Sequence, residues 1–131
     1  MRMRVSLGPE LDLLTKKIIG AAYAVSQTLG HGFLEAVYRN ALVEELTSAG
    51  ITVAKERSFP VRYLGKQVGQ YFADLVVGEK VVVELKAVTT LAQAHRLQLL
   101  NYLKASGLPV GLLLNFGTPR VEIRRVLNQQ K

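Results

Sequence analysis

A chain of 131 residues, 49% hydrophobic and 21% charged, has the makings of one compact domain, which excludes a disordered protein and leaves little room for a second core. No run reaches the ~18–20 apolar residues that span a bilayer, and Met1 to Leu14 mixes basic residues with Glu10 and Asp12, so no signal peptide is read there. Seventeen basic against ten acidic residues give a net charge of +7, which suits a polyanionic partner, nucleic acid before an anionic membrane surface, or serves solubility alone. The chain has no cysteine, which removes disulfides and thiolate metal sites and fits a cytoplasmic location.

In chain order, residues 1–9 are expected to form a loosely ordered lead into a single domain spanning 1–131. A first helix is predicted from Glu10 to Leu29, with Leu11, Leu14, Ile18, Ala22 and Val25 at helical spacing. Gly30-His31-Gly32 breaks it. A second helix is predicted from Phe33 to Ser48, with Leu34, Val37, Ala41, Leu42 and Leu46 facing inward and Gly50 as its stop. From Ile51 the period falls to two, predicting strands at Thr52–Glu56, Phe59–Tyr63, Val68–Val77 and Val81–Ala87, with turns at Gly65-Lys66 and Gly78-Glu79-Lys80. A third helix follows over Leu91–Ala105. Val110–Asn115 reads as a strand covered on both faces, and Val121–Leu127 as a charged edge strand. The order predicts an α/β (α+β) layer with helices flanking a mixed sheet.

The stretch Asp74 to Lys86 carries the strongest chemical signal. Glu84 and Lys86 stand two apart in a strand of otherwise apolar residues and project from one face. Asp74 meets Glu84 directly if a three-residue turn pairs Val77 with Val81; a two-residue turn without a bulge sends the acids to opposite faces. Two carboxylates ~4 Å apart at an effective dielectric of ~20 repel by about 4 kcal/mol, a conflict that a divalent cation resolves. Oxygen donors without cysteine favour Mg²⁺ or Mn²⁺ over Zn²⁺. The same three residues also fit an ordinary cross-strand ion pair. On the third helix His95, Gln98 and Tyr102 fall within an arc of roughly 60°, and Gln98 and Tyr102 form a polar ridge at i and i+4. Glu35 sits in the first turn of its helix, where an acid also suits the helix dipole. No Walker loop, dinucleotide fingerprint, zincin motif or nucleophile elbow is present.

Four segments, GFLEAVY at Gly32–Tyr38, ADLVV at Ala73–Val77, VELKA at Val83–Ala87 and QLLNYL at Gln98–Leu103, make the chain resemble the GxxExxY proteins, a branch of the PD-(D/E)XK nuclease-like superfamily. Their order and spacing carry the likeness over about Leu14–Leu127. The resemblance implies a restriction-endonuclease-like core and a metal-dependent nuclease acting on DNA, with RNA as another substrate class. It implies Asp74, Glu84 and Glu35 as ligands of Mg²⁺ or Mn²⁺, Lys86 as the residue that assists the attacking water, and Gln98 and Tyr102 as the Q-x-x-x-Y ridge. Arg96 departs from the pattern, standing where many relatives carry an acid. Small nucleases of this fold commonly act as dimers, so a homodimer is within the implication. Arg57, Arg62, Arg120, Arg124 and Arg125 are candidate phosphate contacts. A module that binds nucleic acid without cutting it, alone or in a larger complex, is the alternative; the two part on metal dependence.

Overall fold

The computed structural model describes residues 7–128. Of the lead segment expected over 1–9, residues 1–6 lie outside the described residues; Pro9 already belongs to the first helix, at the first-turn position where a missing N–H costs nothing. Five strands and three helices follow: α1 Pro9–Leu29, α2 Glu35–Ser48, β1 Val53–Tyr63, β2 Lys66–Val77, β3 Val81–Lys86, α3 Gln93–Ser106, β4 Val110–Asn115 and β5 Glu122–Leu127. The strands form one sheet in sequence order, β1-β2-β3-β4-β5. All neighbours are antiparallel except β3 and β4, which run parallel. A parallel pair needs a crossover of a dozen residues or more, and residues 87–109, carrying α3, supply it.

The sheet is covered on both faces. Helices α1 and α2 bury Ile18, Ala22, Val25, Tyr38, Leu42 and Leu46 against Leu75, Val77, Val83, Leu85, Leu112 and Leu114. On the other face α3 packs Leu99, Leu100 and Leu103 onto Val76, Val82 and Leu113. Central strands β3 and β4 are therefore apolar on both sides, whereas β5 keeps Arg124 and Arg125 in solvent at an edge.

Two sequence expectations are corrected. The second helix starts at Glu35, not Phe33, and Leu34 and Val37 are exposed; the inward stripe is Tyr38, Leu42 and Leu46 at four-residue steps. Tyr38 sets that phase. Its ring stacks on Phe116 with centroids 4.8 Å apart, while its hydroxyl donates to Gly30 O (2.8 Å) and accepts from Phe33 N (3.2 Å). The strands expected at Thr52–Glu56 and Phe59–Tyr63 are one strand, β1, with Glu56 at φ 51° inside it.

Glu56 has a counterpart across the ladder. β1 and β2 pair Lys55 with Leu75 and Arg57 with Ala73, but no pairing joins Glu56 to Asp74. Along β2, Leu75 and Val77 face the α1/α2 side and Val76 faces α3, yet Ala73 also packs on the α3 side. Alternation therefore slips by one at Asp74. Since β1 slips as well, from Val53 on one face to Phe59 on the other, the two-stranded ribbon turns over at this point without changing its pairing register.

At the far end of the central strands, buried Asn115 holds the exit of β3. Its Oδ1 accepts from Val88 N and Gly117 N, and its Nδ2 donates to Val88 O and Glu122 Oε1. Gly117 packs so closely there that a Cβ would stand 2.2 Å from Val88 O.

Candidate functional site

The β2–β3 hairpin pairs Val77 with Val81, Val76 with Val82 and Leu75 with Val83 around Gly78-Glu79-Lys80. That register brings Asp74 opposite Glu84, but the backbone ladder stops one pair short. Side chains replace it: Asp74 N donates to Glu84 Oε1 and Leu85 N donates to Asp74 Oδ2, both at 2.9 Å. Each acid thus occupies the hydrogen bond that a backbone carbonyl would otherwise make. Among the described residues, Glu84 Oε2 and Asp74 Oδ1 are the oxygens not taken by a backbone N–H.

Glu84 is 4% exposed. Burial first, and then the Asp74 charge, push its carboxyl up to about 8, with Lys86 opposing. Glu35, at the start of α2, is also raised, by burial and then by Asp74, while Lys86 and Arg39 pull the other way. On α3 the Tyr102 hydroxyl is pushed up to about 12 by burial, Glu84, Asp74 and Tyr71. Lys86 Nζ lies 3.5 Å from Gln98 Oε1, which links the strand to the α3 ridge. Glu35, Asp74, Glu84, Lys86, Gln98 and Tyr102 therefore share one electrostatic neighbourhood, reached from α2, two strands and α3.

Glu35 stands at the margin of that neighbourhood. Among the described residues, no three Asp, Glu, His or Cys side chains are close enough to hold an ion, so Asp74 and Glu84 form the compact pair. The donor chemistry of this pair still fits a hard divalent cation: among the described residues each carboxyl keeps one oxygen free of backbone N–H groups, Glu84 is buried, and the Asp74 charge opposes ionisation of Glu84.

Two neighbours escape the sequence reading. Arg39 Nη1 lies 3.7 Å from Asp74 Oδ1. It is one helical turn after Glu35, and that i, i+4 spacing is the signal that could have found it. Tyr71 meets Tyr102 edge-on at 5.0 Å. Three residues from Asp74, regular alternation puts Tyr71 on the opposite face; only the slip at Asp74 brings it round. His95 is committed locally, its Nδ1 accepting from Ala92 N at the start of α3 (3.0 Å).

The five arginines do not form one surface. Arg57, whose guanidinium lies 5.4 Å from the Phe59 ring, and Arg62 are on β1. Arg124 and Arg125 are on β5 at the opposite sheet edge, facing Glu122 (3.8 Å) and Asp12 (3.5 Å), and Arg120 lies over Tyr23 of α1.

A family model for the PD-(D/E)XK nuclease superfamily matches residues 12–126. No curated protein matches the chain. Among solved structures, the crystal structure of SSO0001 is similar in fold, with a TM-score of 0.58 at 22% identity; the match covers 93% of this chain and 60% of that one. Among the described residues no helix is long and apolar enough to cross a membrane.

Proposed function

The chain belongs to the PD-(D/E)XK nuclease superfamily, and from that premise we propose that it is a metal-dependent nuclease that hydrolyses phosphodiester bonds of DNA, of the GxxExxY type. The observation that carries the reading is the pair of backbone bonds taken by the two carboxylates, Glu84 from Asp74 N–H and Asp74 from Leu85 N–H, which holds two acids side by side before any ion arrives. Asp74 and Glu84 are the residues to hold Mg²⁺ or Mn²⁺, with Glu35 as the third acid of the site. Such an ion, when bound, neutralises phosphate charge and makes a water a better nucleophile. Lys86 projects from the Glu84 face with Gln98 against its ammonium; there it orients the attacking water and stabilises the charge that develops on the phosphorus oxygens. Gln98 sets the Lys86 head, and Tyr102, with its proton firmly held, offers a neutral donor beside the acids.

One observation favours a second reading. Arg39 lies on the Asp74 oxygen that faces away from the ladder, as a resident cation of a module that binds nucleic acid without cutting it would. Incubation with single-stranded, double-stranded and branched DNA, with Mg²⁺ or Mn²⁺, separates the two. The nuclease yields fragments that vanish with chelator and with Glu84→Ala. Salt-sensitive binding with no metal-dependent fragments on any substrate refutes the nuclease and supports the binder.

A further inference from the structure

Between the β1–β2 ribbon and α3 lies a cavity of about 580 Å³, in the range of small-ligand sites. Pro60, Val61 and the Tyr71 ring form its apolar wall; Arg62, Lys104 and Asn101 supply two cations and an amide. No acid lines it, and among the described residues neither Arg62 nor Lys104 makes a salt bridge. Two unpaired cations beside an apolar, partly aromatic wall match the two halves of a nucleotide, a phosphate and a base with a flat face.

The cavity is linked to the acids by neighbouring side chains. Tyr71 touches Tyr102, and Asn101 lies on α3 three residues beyond Gln98, so the helix ridge leads from Lys86 into the cavity. From Gln98 to Lys104 the rise of ~1.5 Å per residue gives about 9 Å. On an unstacked strand, whose phosphates stand farther apart than in a duplex, that is a short distance from the acids. The turnover of the ribbon at Glu56 and Asp74 is what directs Tyr71 and Val61 towards α3 and builds the wall.

We propose that this cavity is a subsite for one unpaired nucleotide of the substrate strand, close to the bond to be cut, with Arg62 and Lys104 on its phosphate and Tyr71 against its base. The assignment rests on the nuclease reading and adds that the substrate is single-stranded at this point, because a base inside a duplex presents no free face to Tyr71.

The test uses a fluorescein-labelled twelve-nucleotide oligothymidylate in chelator, read by anisotropy. Arg62→Ala/Lys104→Ala is expected to weaken binding about tenfold and to flatten the salt slope by about 0.7, the value for one phosphate contact on a single strand. Lys16→Ala/Lys17→Ala removes equal charge from α1, across the sheet, and is expected to change binding less than twofold. Photo-crosslinking of the same oligonucleotide carrying 5-iododeoxyuridine is expected to mark Tyr71. Equal losses in both double variants, or crosslinks confined to residues outside the cavity, overturn the assignment. If wild type binds and cuts with Mn²⁺ while Arg62→Ala/Lys104→Ala behaves like it, the cavity assignment alone falls. If wild type neither binds nor cuts any DNA, the nuclease reading falls and takes the subsite with it.

Discussion

Glu84→Gln tests whether the buried acid is held under electrostatic stress. In the folded chain without metal, Glu84 titrates at about 8 against an ordinary value of 4.5, so between those values the folded state binds the extra proton. Stability must then fall as pH rises, by about 1.4 kcal/mol per pH unit, to a total on the order of 5 kcal/mol above pH 8. Glutamine copies the protonated acid: its oxygen accepts from Asp74 N–H, and its NH₂ faces the Asp74 carboxylate. At pH 5 the variant and wild type should melt within about 1 kcal/mol of each other. At pH 9 in chelator, Glu84→Gln should melt roughly 15–20 °C higher, from an unfolding entropy of ~2.1 cal/mol/K per residue. Saturating Mn²⁺ should reverse the order, because only wild type gains binding energy on folding. Calorimetry at pH 5, 7 and 9 provides the reading. A difference between the two proteins that does not vary with pH would refute the account of stress at Glu84.

Other outcomes follow from the same geometry. Asp74→Asn keeps an acceptor for Leu85 N–H but removes the charge that raises Glu84 and Glu35; it should abolish cleavage and Mn²⁺ stabilisation while metal-free melting stays level or rises, since the partly exposed Arg39 pair contributes little. Tyr38→Phe deletes the hydroxyl between Gly30 and Phe33 and should cost about 1–2 kcal/mol in denaturant titrations, with activity falling as the start of α2 that carries Glu35 loosens. Gly117→Ala drives a methyl into the Val88 backbone and should destabilise by about 3 kcal/mol, a loss that relaxation of a side chain cannot relieve.

Local rules sufficed for much of this molecule. Period-two alternation put Glu84 and Lys86 on one face, and a three-residue turn was the geometry that set Asp74 opposite Glu84, as the register of β2 and β3 has it. Helix spacing located α1 and α3 to within two residues at each end. The second helix was phased wrongly because Phe33 and Leu34 are apolar without being helical or buried; the core is chosen by Tyr38, whose partner Phe116 is distant in sequence. Glu56 breaks no sequence rule, yet its positive φ joins what alternation reads as two strands. Tyr71 and the cavity beyond it were hidden for the same reason, as strand periodicity carries no sign of where a ribbon turns over. Arg39 is legible only as the i, i+4 neighbour of Glu35; its contact with Asp74 joins a helix to a strand, a relation that spacing along one element does not describe.

Because Asp74 and Glu84 each complete the hydrogen bonding of the β2–β3 hairpin with one oxygen and keep the other for an ion, the residues that would serve catalysis are also residues of the scaffold. A descendant that abandoned cleavage would still be selected to keep them, or their amides, simply to fold. Lys86 is under no such obligation: its ammonium meets the exposed Gln98 amide and makes no hydrogen bond to the sheet among the described residues. Drift should therefore reach the lysine first, and the identity of the residue at position 86 is a better record of past chemistry in a lineage than the survival of its acids.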